Sequence, residues 1–147
     1  MRERTQAAVF LVAWLASLAV VLAAVGAVTP APPARPSGLL RATLGIEGPS
    51  WKIEYETATT NGTAFRLLQE ASVNLGFEVD WVEYGWPYYD VLITSINGTR
   101  SQDTAGQFWQ YCVNGVYATR GALHQPVLDG DVVLWVYAPM GGSELCG

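Results

Sequence analysis

The side chains that could do chemistry are few, and their spacing argues against most of it. The chain has one histidine, His124, in a loop just before Pro126. A lone imidazole does not make a metal centre, because zinc sites use three or four nitrogen, sulfur or oxygen ligands. Asp129 and Asp131 flank Gly130; a carboxylate pair can serve acid–base chemistry, but around a turn glycine the two read more simply as solvated turn residues. Glu54 and Glu56 share one face of a strand and point to water. No glycine-rich phosphate loop, serine nucleophile elbow or HExxH pair occurs. With no constellation of nucleophile, base and oxyanion donor, the expectation is no catalytic residue, no metal and no resident cofactor.

What the chain has in excess is aromatic rings: 6 Trp, 7 Tyr and 4 Phe, of which only Phe10 and Trp14 lie in the N-terminal 28 residues. The run Tyr84-Gly-Trp86-Pro-Tyr88-Tyr89 is hard to bury in one small sheet. Rigid rings with a polar handle suit a contact surface for a flat ligand, a sugar or a protein. Trp86 and Tyr88 are therefore candidate protein contacts. Trp51 and Trp135 read as core, whereas Trp86 and Trp109 fit either core or contact surface.

Composition divides the chain in two. Over 147 residues it is 50% hydrophobic and 14% charged, with mean hydropathy +0.20, where about a quarter of residues in a typical domain are charged. The excess lies in Ala7–Val28, 22 positions interrupted only by Ser17 and Gly26. That run is long enough for a spanning helix of roughly 20 apolar residues. It also fits a signal peptide, with Val25-Gly26-Ala27 as a cleavage site. Both readings of residues 1–28 stay open. Arg2 and Arg4 favour a cytoplasmic start with the remainder translocated, either membrane-anchored by a single N-terminal helix or secreted. Residues 29–38 carry four prolines and read as an extended linker, leaving 39–147 as one domain. From Leu39 onward, five basic residues face twelve acidic ones, a net of −7. Such a surface repels phosphate backbones, so nucleic acid is excluded as a partner.

Two further features bear on the compartment. Asn61-Gly-Thr63 and Asn97-Gly-Thr99 are candidate glycosylation sequons, and each is equally a plain Asn-Gly turn. Cys112 and Cys146 can form a disulfide in an oxidising compartment; the alternative is a small buried Cys in a strand and a free thiol near the C-terminus.

The elements that must position these residues follow from periodicity. Leu40, Ala42, Leu44 and Ile46 alternate, as do Trp51, Ile53 and Tyr55 after the Gly48-Pro49 break, which predicts a hairpin. Ala64, Leu67, Leu68, Ala71 and Leu75 switch to helical spacing over Thr63–Asn74, with Thr63 as N-cap and Gly76 as the C-terminal glycine. Strands follow at Phe77–Trp81, Tyr89–Ile96 and Phe108–Val113, the last closed by Asn114-Gly115. Val132–Tyr137 is apolar on both faces and reads as a central strand. The expected fold is α+β: a β-grasp-like mixed sheet packed on one helix, preceded by the N-terminal hydrophobic helix.

The segments Leu92-Ile-Thr-Ser-Ile-Asn-Gly98, Phe108-Trp-Gln-Tyr-Cys-Val-Asn-Gly115, Gly121-Ala122 and Gly130-Asp-Val-Val-Leu-Trp135 resemble the C-terminal domain of transcobalamin and intrinsic factor. They are most similar to the stand-alone prokaryotic members of that transcobalamin C-terminal-like family. The likeness covers Leu40 to Tyr137. It implies a β-grasp-like fold and a domain that closes over cobalamin. Carried over position by position, it implies ligand contacts at Thr94, Ser95, Trp109, Gln110 and Tyr111. The helical domain that supplies the other half of the carriers' site has no counterpart here, and His124 lies outside the matching motifs. A single covering domain would bind a corrinoid weakly, or with a partner. The expected function is an extracytoplasmic ligand-binding module for cobalamin, another corrinoid or another small ligand. The alternative is a cell-surface structural or adhesion module whose aromatic patch contacts a protein.

Overall fold

The computed structural model describes residues 38–141 and 143–146. The apolar segment 7–28 and all but the last residue of the proline-rich linker lie outside the described residues. No helix among the described residues is long and apolar enough to cross a membrane.

The alternating segments pair as their pattern requires. Strand β1 (Leu40–Glu47) runs antiparallel to β2 (Lys52–Thr59), with Leu40 opposite Thr59 and Glu47 opposite Lys52. The turn is closed by the Gly48 N–H donating to the Trp51 carbonyl at 2.9 Å, and a side chain at Gly48 would strike the Trp51 indole. Ala42, Leu44 and Ile46 fill the core from β1. On β2, Glu54 and Glu56 are exposed.

Helix α1 (Ala64–Leu75) begins where the Thr63 hydroxyl accepts from the Arg66 N–H. It ends at Gly76, whose left-handed backbone (φ 75°) lets its N–H donate to the Ser72 carbonyl at 2.9 Å. Phe65, Leu67, Leu68 and Ala71 form its buried stripe, and burying each larger apolar side chain stabilises by roughly 1.5–3 kcal/mol. The helix is also pinned through Glu70. One carboxylate oxygen accepts from the Tyr55 hydroxyl (3.0 Å) and the Thr57 hydroxyl (2.8 Å), and the other accepts from the Thr59 hydroxyl and the Asn61 amide (2.5 Å). Residues 55, 57 and 59 can all reach it because alternate residues of a strand share a face.

After the helix come β3 (Val79–Tyr84), β4 (Asp90–Ile96), β5 (Thr99–Arg100), β6 (Gln107–Val113), β7 (Val116–Tyr117) and β8 (Asp131–Pro139). Strand β8 is central, as its apolar composition predicted. It lies parallel to β1 and antiparallel to β6, in a mixed sheet of order β2-β1-β8-β6-β7. Asp129 and Asp131 are turn residues: Asp129 accepts from the Arg41 N–H (2.8 Å) and Asp131 from the Leu128 N–H (2.7 Å).

The expectation of one mixed sheet needs correction. Strands β3, β4 and β5 form a separate three-stranded sheet. Its cause is local. Asn97 and Gly98 both take positive φ (48° and 76°), which folds β4 straight back onto β5. A register shift at Asp80/Trp81 marks a bulge in β3, and bulges bend and twist a strand. The Trp81 ring rests edge-on against Phe65 at 5.2 Å, so this small sheet covers the start of α1. Among the described residues the architecture is α+β, with two sheets and one α-helix.

The C-terminal turn (Ser143–Cys146) is bonded to the mixed sheet by a Cys112–Cys146 disulfide, with Cα atoms 5.9 Å apart. This settles the two open readings of the cysteines in favour of the bond.

Candidate functional site

Where β4 approaches β6, a crevice of about 230 Å3 remains. Its walls come from Val91–Ile93 on β4, Phe108–Tyr111 on β6, Trp135 on β8 and Met140 just beyond it. The strands place these residues by alternation: Trp109 and Tyr111 share one face of β6 and meet Tyr137 and Trp135 across the β8 register. Their rings form a layer, with Trp109 5.4 Å from Tyr137 and 5.8 Å from Trp51, and Tyr111 4.8 Å from Trp135.

Three of the residues implied by resemblance, Trp109, Gln110 and Tyr111, line this crevice. All three are buried, and their polar atoms are engaged within the protein. The Trp109 indole donates to the Thr99 carbonyl at 2.8 Å. The Gln110 amide donates to the carbonyls of Ala138 and Pro139, and its oxygen accepts from the Tyr117 hydroxyl and the Gly141 N–H. The Tyr111 hydroxyl donates to the Arg120 carbonyl at 2.5 Å. Trp109 and Tyr111 therefore present ring faces and edges, while the hydrogen-bonding capacity of all three side chains holds the fold. Thr94 and Ser95 lie further along β4, outside the lining, with Thr94 half-buried and Ser95 buried.

Burial, the Asp90 charge and Tyr117 push the Tyr111 hydroxyl well above its ordinary pKa, so it stays protonated and neutral. The Asp90 carboxylate accepts from the N–H groups of Val91 (2.8 Å) and Leu123 (3.2 Å). A side chain at Gly121 would collide with that carboxylate. Gly121→Ala is thus expected to cost about 1–3 kcal/mol through overpacking, read as a lower urea midpoint; an unchanged midpoint would mean the loop yields freely. His124 is exposed and donates through Nε2 to the Tyr89 carbonyl at 2.7 Å. No group of three or more His, Cys, Asp or Glu converges among the described residues.

The connection from β3 into the β4 wall carries the aromatic run. Trp86 is 81% and Tyr88 75% exposed. Of the sequons, Asn97 is exposed on its turn, and half-buried Asn61 donates to Glu70.

Sequence reasoning missed one feature of this site. The sequence pattern marks Trp135 as core, and it is 2% exposed; its Nε1 is the one buried side-chain polar atom among the described residues without a hydrogen-bond partner. A sequence pattern reports burial of a ring and carries no signal for what its N–H meets. The Leu92 and Met140 contributions likewise depend on chain crossings that periodicity does not encode.

Comparison with known proteins places this geometry. The family described as "Domain of unknown function (DUF4430)" matches residues 63–138, from the cap of α1 through most of β8. No curated protein matches. A protein of Ruminococcus gnavus ATCC 29149 called a "putative metal binding protein" superposes with TM-score 0.57 at 22% identity, covering 69% of this chain and 99% of its own. Haptocorrin in complex with Cbi superposes with TM-score 0.58 at 14% identity, covering 69% of this chain but 25% of haptocorrin. At such identities the likeness is one of fold, and the fold is transcobalamin-like.

Proposed function

The chain belongs to the DUF4430 family, and from that premise we propose that it is an extracytoplasmic ligand-binding module, tethered or secreted, that works by binding rather than catalysis. The crevice between β4 and β6 carries this reading. It is apolar, ring-lined and about 230 Å3, below the roughly 300–1,000 Å3 that encloses a whole small ligand. A site of that size grips one edge or face of a larger molecule, and a second component must cover the rest. A corrinoid is the ligand we favour. The support is the fold shared with haptocorrin, whose structure holds Cbi and of which this chain spans only a quarter. The Cys112–Cys146 bond supports an oxidising compartment, and exposed Asn97 is the more accessible of the two sequons.

Titrating the full-length chain with cobalamin and a panel of corrinoids to millimolar concentration tests this. A saturable change in tryptophan fluorescence is the expected outcome, and a flat response across the panel removes the corrinoid version. One observation favours a second reading, contact with a surface protein: the outward stance of Trp86 and Tyr88. Co-purification of a membrane partner that survives Trp86→Ala/Tyr88→Ala would set that reading aside.

A further inference from the structure

We infer that the end of the domain at which the chain enters is a membrane-seating face, with the exposed rings of the β3–β4 connection lying in the interfacial layer of a zwitterionic phospholipid bilayer. This is independent of the crevice and rests on the tethered form of the function proposed above.

Contacts run without a gap from the start of β1 to the aromatic run. A side chain at Gly62 would touch Leu40 at 4.0 Å. The Gly62 carbonyl accepts from the Val127 N–H (3.0 Å), and the Gln125 carbonyl from the Ala64 N–H (3.1 Å). His124, the residue before Gln125, bonds to the Tyr89 carbonyl. The turn after Leu128 joins the same end, where the Gly130 N–H donates to the Arg41 carbonyl at 2.8 Å. Trp86, Tyr88, Tyr89 and Leu128 are each at least 60% exposed, and Leu39, where the linker meets the domain, is exposed as well. Every exposed aromatic ring among the described residues lies between Trp81 and Tyr89. The opposite end is polar. Its β1–β2 turn carries the exposed Glu47–Lys52 ion pair. The Trp51 indole of that turn donates to the Thr99 hydroxyl, which places the exposed Asn97 sequon at this far end.

The rings stand on a fixed turn. The Gly85 carbonyl accepts from the N–H groups of both Tyr88 and Tyr89 at 3.1 Å. Tyr89 takes φ 43°, a left-handed conformation that is uncommon for a bulky residue and is found at functional sites. The His124 contact holds the turn from one side, and Asp90 holds it from the other by accepting from the Leu123 N–H. A turn fixed in this way loses little conformational freedom when it docks.

The chain preceding the domain selects the occupant. Before Leu39 lie the apolar run Ala7–Val28, long enough to span, and the proline-rich residues 29–38. At about 3 Å per extended residue, such a linker reaches about 30 Å, roughly the diameter of a small domain. A protein can be met on any face of the domain, whereas a bilayer at the end of so short a linker is met by the end where the chain enters. Trp and Tyr are the side chains enriched at membrane–water interfaces, with the ring at headgroup level and the polar atom wet. Charge then selects the lipid. The stretch from Trp81 to Leu92 holds Glu83 and Asp90 and no Lys or Arg, and the domain carries a net −7. Anionic lipid is drawn by clusters of basic residues, which this stretch lacks.

The test uses the full-length chain carrying Trp14→Phe, which removes the tryptophan of the apolar run. It is reconstituted into phosphatidylcholine vesicles whose acyl chains are brominated close to the headgroup. The brominated lipid is expected to quench tryptophan fluorescence, and adding Trp86→Phe should abolish most of that quenching. Trp86 is 81% exposed, so its replacement leaves the fold intact. Replacing part of the phosphatidylcholine by phosphatidylserine should weaken the quenching at low salt, and quenching that strengthens instead overturns the choice of lipid. Quenching unchanged by Trp86→Phe overturns the seating face. If the chain floats with the vesicles and no quenching occurs, the tether stands and the seating face falls. Shielding of Trp86 that then appears only in native, protein-containing membranes assigns the rings to a protein partner. A chain that does not float with the vesicles removes the tethered reading and this inference together, while the corrinoid titration still decides the crevice.

Discussion

Cys112→Ala is expected to lower the unfolding free energy by about 4 kcal/mol, read as a large drop in urea midpoint. The bond joins residues 34 apart in sequence, and closing a loop of that length removes about this much chain entropy from the unfolded state. Two further contributions point the same way. Cys112 is buried on β6, with Leu134 and Tyr117 as its register neighbours. Its partner Cys146 lies in the short C-terminal turn, which loses its covalent tie to the sheet. If the cross-link is the cause, Cys112→Ala/Cys146→Ala should lose little more than either single change, and reduction by dithiothreitol should reproduce the loss. A cost under about 1 kcal/mol would show that the turn is held by packing instead.

Glu70→Ala is expected to cost about 2–3 kcal/mol. Four donors converge on that carboxylate, from Tyr55, Thr57, Thr59 and Asn61. Hydrogen bonds to a charged group contribute roughly 1.5–3 kcal/mol each when well shielded, and the partial exposure of Glu70 reduces their sum. The same site sets a pH dependence. Partial burial raises the carboxyl pKa, and the four donors together outweigh it and hold the group below its ordinary value. The folded state therefore favours the ionised form more than the unfolded chain does. Its stabilisation is present in full above the ordinary carboxylate range and disappears as pH falls through that range towards the lower folded value. Glu70→Gln should flatten this part of the acid limb in denaturation curves. An acid limb of unchanged steepness would assign it to other carboxylates.

Much of the scaffold was legible in the sequence because its causes are local. The β1–β2 hairpin, the capped helix and the Asn114-Gly115 turn rest on alternation, a hydroxyl at Thr63 and glycines where φ is positive. Central placement of β8 followed from apolar residues on both faces. The division into two sheets was not legible. It depends on the bulge at Asp80/Trp81 and on which edge β4 meets, and a strand pattern names a face but never a neighbour. The candidate site was legible in part. Motif likeness led to Trp109, Gln110 and Tyr111, which do line the crevice. What it could not convey is that backbone carbonyls and amides from distant segments consume their polar atoms, so that the unpaired group is Trp135 Nε1 on another strand.

The parallel seam between β1 and β8 also fixes an order of events. Ala42 to Glu47 take Asp131 to Val136 as partners, so the first strand of the domain to be synthesised waits for the last. The β1–β2 hairpin and the β3–β5 meander can close soon after they are made, since their contacts are short in sequence. The central seam forms only when nearly the whole domain is available, and such non-local pairing slows folding. Until then, the core face bearing Leu44 and Ile46 lacks its neighbour on one side. Folding of this domain is therefore an event of chain completion: the middle of the sheet, its most buried part, is the last to be assembled.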